Sequence, residues 1–165
     1  LLRFAETYRN LNKITTLNLD KVYVRELFSN LSRLMQPTLA QKSISLEINL
    51  KDQDLALQAD PNLLDQALIN LVVNAIDAVK EKTDPVITLS ASKAPNGKVM
   101  IKVSDNGKGM SEEVQEKIFI PFFSTRKQGS GIGLSLCKQI VMLHNGTIQV
   151  QSEEGQGTVF ILRFG

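Results

Sequence analysis

The stretch DQALINLVVNAIDAV, Asp65 to Val79, decides how this chain is read. A helix turns by about 100° per residue, so Asn70, Asn74 and Asp77 fall within about 60° of one another. Leu68, Leu71, Val72, Ala75, Ile76 and Val79 spread over the rest of the circumference. The segment reads as a mostly buried helix carrying a narrow polar stripe. A buried amide left without a partner costs roughly 1–3 kcal/mol. Two asparagines one turn apart therefore join a buried network, face solvent, or serve a ligand. The ligand reading has a definite chemistry. A neutral amide oxygen suits Mg2+, which takes few protein ligands beside its waters and substrate phosphates.

Upstream, Asp60-Pro61 supplies an N-cap and a first-turn proline, and the helix should run to about Lys80. SISLEINL (Ser43 to Leu50) alternates as a half-buried strand does, and LALQA (Leu55 to Ala59) is a candidate to pair with it. Arg25 to Gln41 reads as a helix with Leu27, Leu31 and Leu34 on one face, which Pro37 is expected to kink or end early. KVYV (Lys21 to Val24) reads as a short strand, and Leu1 to about Leu17 as an amphipathic helix.

Downstream, VITLSAS (Val86 to Ser92) and KVMIKVSD (Lys98 to Asp105) flank Pro95-Asn96-Gly97 as an antiparallel hairpin. Ser111, followed by Glu112 and Glu113, caps a short helix to Lys117. A helix is expected from Gly133 to Leu143, then strands at Thr147 to Glu153 and Thr158 to Phe164. The expected fold is an α+β sandwich, a mixed and largely antiparallel sheet with helices on one face.

Composition sets the class. With 165 residues, 42% hydrophobic and 22% charged, the chain has enough material for one globular core. A net charge of +2, no Trp and 5% aromatics argue against nucleic-acid binding. The single cysteine, Cys137, excludes an internal disulfide and sits in an apolar helical stretch, as a buried thiol does. No apolar run reaches the ~18 residues of a membrane span.

Two glycine-rich stretches follow the asparagine helix. DNGKGM (Asp105 to Met110) leaves a strand directly. Its Gly107 and Gly109 allow positive φ and close backbone approach. Asp105 is either a solvated turn residue or an acceptor for an exocyclic amino group such as adenine's. GSGIGLSL (Gly129 to Leu136) places alternate glycines before a helix. That suits either a tight turn or an anion held by helix-start N–H groups. Neither stretch is a P-loop or a Rossmann fingerprint, whose spacings are absent. Between them, IFIPFFSTRKQ (Ile118 to Gln128) carries three phenylalanines ahead of Arg126 and Lys127. It reads as a core patch with solvated charges, or as a lid whose cations meet phosphate oxygens.

The order of these motifs resembles the GHKL ATPase superfamily, and most closely the histidine kinase catalytic domain. NLVVNAIDA looks like its N box, DNGKGM its first glycine box, IFIPFFSTR its phenylalanine box, GSGIGLSL its second glycine box and GQGTVF its last glycine motif. The resemblance spans roughly Val22 to Phe164. It implies a Bergerat fold binding ATP and Mg2+ beneath a short lid.

By that resemblance, Asn74 matches the Mg2+ ligand and Asn70 the amide near the phosphates. Asp105 matches the carboxylate that reads the adenine amino group, and Thr158 the threonine near the base. Gly107 and Gly109 match glycines beside the base, and Gly129, Gly131 and Gly133 those facing the phosphates. Met110, Phe119, Phe122, Phe123, Ser124, Thr125, Ser130, Ile132 and Leu134 complete the boxes and are expected to line the nucleotide. Asp77 departs from the pattern, since many members carry a basic residue there. A cation must then come from elsewhere, and Arg126 is expected to supply it, with Lys127 second.

The resemblance also implies partners: an upstream dimerisation and phosphoacceptor hairpin, a response regulator receiver domain, and a second copy in the parent. Residues 1–19 look like the end of the second dimerisation helix, and 20–165 like the catalytic domain. The domain is expected to be cytoplasmic, in a parent anchored in the inner membrane. The single histidine, His144, lies in VMLHNG at a helix end and reads as a donor to helix carbonyls, not a phosphoacceptor. Two alternatives stand beside this reading: another GHKL ATPase, and a non-catalytic nucleotide-binding module. The first usually needs a glutamate four residues before the Mg2+ asparagine. That position is Asn70, and no Glu lies between Pro61 and Lys80.

Overall fold

The computed structural model describes residues 17–124 and 133–165. The helix expected at the N-terminus lies outside them but for its last residue, and Leu17–Leu19 take no regular structure. The described elements run β1 (Asp20–Tyr23), α1 (Val24–Gln41), β2 (Ser45–Leu50), β3 (Ala56–Ala59), α2 (Pro61–Ala78), β4 (Val86–Lys93), β5 (Val99–Asp105), α3 (Glu112–Lys117), α4 (Gly133–Leu143), β6 (Thr147–Glu153) and β7 (Gly157–Phe164).

Five strands form one sheet in the order β2-β4-β5-β7-β6. Only β2 and β4 run parallel; the other neighbours are antiparallel. The parallel pair is joined through α2, which crosses back over the sheet as such a connection must. Alternation along the strands sends Ile87, Leu89, Ile101, Val103, Phe160 and Leu162 into one buried layer with Leu64, Leu68, Leu71, Leu136 and Ile140 of the helices. The expected sandwich, a mixed and largely antiparallel sheet, is what forms.

Two expectations are corrected. The strand at Ala56–Ala59 does not pair with Ser45–Leu50; it pairs antiparallel with β1 in a separate two-stranded sheet. The cause is the connection. Arg25 grips Gln53 O and Asp54, and Val24 N–H donates to Leu55 O, so β3 is turned toward β1. That leaves β2 to pair with β4. Pro37 neither stops α1 nor ends it early. The carbonyl it deprives belongs to exposed Arg33, where water can replace the bond, and fully buried Leu39 anchors the last turn.

Asp60 caps α2 as its sequence promised, accepting from Asn62 N–H and Leu63 N–H. Its second oxygen takes Asn18 N–H at 3.2 Å. Its own N–H donates to Nε2 of His144, whose Nδ1 lies 2.7 Å from Ile140 O. A backbone N–H can only donate, so Nε2 is unprotonated and Nδ1–H serves the helix carbonyl. His144 thus closes α4, as the sequence reading expected, and also fastens it to the start of α2.

Candidate functional site

The polar stripe of α2 is where the candidate residues gather. Asn70, Asn74 and Asp77 are each half-buried. Asn70 donates from Nδ2 to Gly133 O at 3.2 Å, which ties the start of α4 to the middle of α2. Asn74, one turn on, has no hydrogen-bond partner among the described residues. A half-buried amide held free beside a bonded one is the arrangement a ligand-serving asparagine needs. Asp77 lies 3.5 Å from Lys80 Nζ. Lys80 thus offsets the Asp77 charge from three residues further along the chain, while Arg126 and Lys127, expected to bring positive charge to the phosphates, lie outside the described residues.

The loop after β5 lands on the far end of this stripe. Lys108 N–H donates to Ala78 O at 3.0 Å. Gly107 is needed here for space: a Cβ would lie 2.3 Å from Ala78 O. Positive φ is taken only by Gly109, at +69°, whose Cβ would also meet Glu153 O at 2.1 Å. The sequence reading gave both glycines the same reason, and the structure separates them.

Asp105 ends β5 on the inner face of the sheet. Strand register sets Ile87, Asp105, Thr158 and Ser152 in one row across β4, β5, β7 and β6. Burial pushes the Asp105 carboxyl up to about 6, against the opposing pull of the N–H groups of Gly107 and Thr158. The Gly107 bond measures 2.8 Å. A carboxyl held by the Gly107 N–H, with buried Thr158 beside it in the strand row, is a positioned acceptor. Met110 follows, half-buried, with its N–H on Ser152 Oγ.

The phenylalanine segment divides. Phe119 and Phe123 pack against the core, Phe119 edge-on to Phe160 at 6.2 Å and beneath the Lys138 ammonium. Phe122 is 71% exposed. Ser124 and Leu134 are half-buried at the two ends of the undescribed span. Thr125, Arg126, Lys127, Gly129, Ser130, Gly131 and Ile132 lie outside the described residues. Among the described residues, a Cβ at Gly133 would meet only Asn70 Cγ, at 3.9 Å.

A cleft of about 180 Å³ opens beside the α2 end, lined by Asp77, Lys80, Lys82, Gly107, Lys108 and Gly155 among others. A larger groove of about 790 Å³ lies elsewhere, between α1 and β2, and holds none of the candidate residues. Chemistry outweighs size here, because the Asn74 amide and the Asp105 carboxyl are both on the α2 side. Ser152, Gln115 and Lys80, which no motif singled out, also contact the candidate residues or their neighbours. Among the described residues no cluster of three His, Cys, Asp or Glu could cage a metal. A cation at Asn74 would depend on a phosphate-bearing ligand for its other donors.

A sandwich of this topology, with a fixed acceptor on its inner face and a free asparagine on the facing helix, defines an ATP-binding domain of the Bergerat type. The sequence profile of the "Histidine kinase-, DNA gyrase B-, and HSP90-like ATPase" family matches residues 59–165, and the chain belongs to that family. Among its relatives, the sensor histidine kinase ZraS of Escherichia coli (strain K12) is 38% identical over 162 residues, 98% of this chain and 34% of ZraS. The solved catalytic domain of histidine kinase ThkA is 34% identical, with a TM-score of 0.81 over 90% of this chain and 95% of that one. ThkA in complex with response regulator protein TrrA matches with a TM-score of 0.84 at 29% identity, over 99% of this chain and 46% of that one. The chain spans about a third of the length of the curated relatives it matches. Within the family it is a catalytic, ATP-binding domain of the sensor histidine kinase type.

Proposed function

We propose that this domain binds Mg-ATP and donates the γ-phosphoryl group to a histidine on an upstream dimerisation hairpin of a two-component sensor kinase. One observation carries the reading. The loop after β5 and the start of α4 are fastened to the two ends of the α2 stripe, through Lys108 to Ala78 and through Asn70 to Gly133, and Asn74 between them has no partner among the described residues.

In this reading Asp105 and Thr158 hold the adenine edge, beside Gly107, Gly109 and Met110. Asn70 and Asn74 face the phosphates, and Asn74 supplies the protein oxygen to Mg2+. The ion, when bound, neutralises charge developing on the transferred phosphoryl group. This chain's residues position the nucleotide: Asp105 fixes the base, α2 fixes the phosphates, and Arg126 with Lys127 adds positive charge from the segment after Ser124. The second glycine box, Gly129, Gly131 and Gly133 with Leu134, offers N–H groups to the phosphate oxygens in this reading.

The partner reading leans on the relatives. ThkA is solved with the response regulator TrrA. A receiver domain and a dimerising second copy are proposed here for the parent, along with residues 1–19 as the end of a dimerisation helix. Among the described residues no helix is long and apolar enough to cross a membrane. A cytoplasmic location beside an inner-membrane anchor in the parent is part of the same proposal.

The test is phosphotransfer. The 165-residue chain is incubated with γ-labelled Mg-ATP, alone and with the parent's dimerisation hairpin added in trans. Acid-labile, base-stable label on the hairpin supports the kinase reading. Release of phosphate without labelled hairpin favours a hydrolytic ATPase instead.

A further inference from the structure

Ser152 is half-buried on β6, directly across from Thr158 on β7. Its hydroxyl makes three contacts. Met110 N–H lies 2.8 Å away, Gly157 O 2.9 Å and Thr158 Oγ1 2.9 Å. A serine hydroxyl has one proton and two lone pairs. Met110 N–H can only donate, so it takes one lone pair. Gly157 O can only accept, so it takes the proton. The contact with Thr158 then has one solution: the Thr158 hydroxyl donates, into the second lone pair of Ser152.

The consequence falls on Thr158. Its proton is committed to Ser152, so toward the rest of the site it offers only lone pairs. Its neighbour in the strand row, Asp105, is also an acceptor when ionised. Gln115 locks the arrangement from behind, its Nε2 donating to Met110 O at 2.9 Å and to Ser152 O at 3.0 Å.

We propose that Ser152 is a positioning residue that sets base selectivity, by holding the Thr158 hydroxyl as an acceptor beside Asp105 so that the site takes a 6-amino purine and rejects a 6-oxo purine. The inference rests on the reading of Asp105 and Thr158 as the base-contacting pair. A 6-oxo group brings an acceptor against two acceptors, and unpaired polar atoms in a dry site are what discriminate strongly. With Ser152 changed to Ala, the Thr158 hydroxyl can turn and donate to such a group.

The experiment compares Mg-ATP with Mg-ITP by calorimetric titration of the 165-residue chain. Ser152→Ala should cut the ATP-over-ITP preference by at least about fivefold, chiefly through better ITP binding. Ser152→Thr, which keeps the hydroxyl, should restore the preference. Thr158→Val should cut it too, and Ser152→Ala added to Thr158→Val should change it no further. Equal weakening of both nucleotides by Ser152→Ala would assign Ser152 a merely structural part and overturn the inference. If Ser152→Ala does not fold, Thr158→Val decides alone, and an unchanged preference there overturns it. Asp105→Asn serves as the separate control. Unchanged preference in that variant sinks the base-site reading itself, whereas a collapsed preference leaves only the role of Ser152 at stake.

Discussion

Asp60 N–H donates to Nε2 of His144 at 3.0 Å, across 84 positions of sequence. The bond fixes the only histidine in the chain as a neutral acceptor with its other nitrogen on Ile140 O. A phosphoacceptor needs a free, nucleophilic ring nitrogen, and His144 offers none. His144→Ala should lower stability by about 1–2 kcal/mol, through the unpaired Asp60 N–H and the lost contact with Phe164. Nucleotide affinity should be unchanged, and the chain alone should take no acid-labile label before or after the substitution. Denaturant melts and labelling with γ-labelled ATP measure the two effects.

The two asparagines of α2 should behave oppositely. Asn74 has no partner among the described residues, so Asn74→Ala should leave the melting point within the range of a neutral surface change, about 0.5 kcal/mol. Mg2+-dependent nucleotide binding should be lost. Asn70→Ala removes the bond to Gly133 O and should cost about 1 kcal/mol of stability. A stability loss at Asn74 as large as that at Asn70 would mean Asn74 is structural.

Glycine substitutions should rank by what a Cβ meets. Gly107→Ala and Gly109→Ala push into backbone at 2.3 and 2.1 Å and should each destabilise by more than about 2 kcal/mol. Gly133→Ala meets nothing closer than 3.9 Å among the described residues and should be near neutral for folding. Thermal melts of the three variants give the order directly.

Asp105 predicts two pH dependences of opposite sign. In the folded chain it holds its proton to about 6, whereas the unfolded carboxyl ionises at its ordinary 3.8. Between these values the unfolded state is the one that has released a proton. The contribution to stability therefore falls as pH rises through this window and stays at the lower level above it. Nucleotide binding moves the other way, because the carboxylate acceptor is fully present only above about 6. Asp105→Asn should flatten both profiles. A wild-type ATP affinity that is constant from pH 5 to 8 would argue against Asp105 as the base contact.

Arg126→Ala should weaken ATP binding or phosphotransfer more than Lys127→Ala, if Arg126 brings the charge that the phosphates need. Lys80 sits 3.5 Å from Asp77 but is itself more than half exposed, so their attraction is screened. Equal, small effects at Arg126 and Lys127 would sink the assignment and turn attention to Lys80.

The order of elements and the faces of α2, β4 and β5 could be read from the sequence because each carries its own period. Asp60-Pro61 and Ser111 announced their helices through local capping chemistry that the structure reproduces. What escaped was decided at a distance. The partner of β3 depends on Arg25 reaching Gln53 and Asp54, which no local pattern encodes. Pro37 breaks a bond only where solvent can replace it, and burial of Leu39 two residues on is a tertiary fact. At the proposed site, Asp105, Asn74, Gly107 and Gly109 stood out by motif order. Ser152 and Gln115 did not, because their value lies in which hydroxyl and carbonyl each meets across strands. The Asp77–Lys80 pair, by contrast, is local, an i,i+3 spacing at the end of α2.

Because the loop after β5 and the start of α4 both hang from one helix, α2 acts as a ruler. Asn70 and Ala78 are eight residues apart, about 12 Å of rise. One residue inserted between them would shift one loop by about 1.5 Å and swing it about 100° around the axis relative to the other. The hairpin tip at Asn96 and Gly97 bears no such duty and is exposed. Length changes that the tip absorbs without loss would, inside α2, put the two halves of the proposed nucleotide pocket out of phase while every residue proposed to line it remained in the chain.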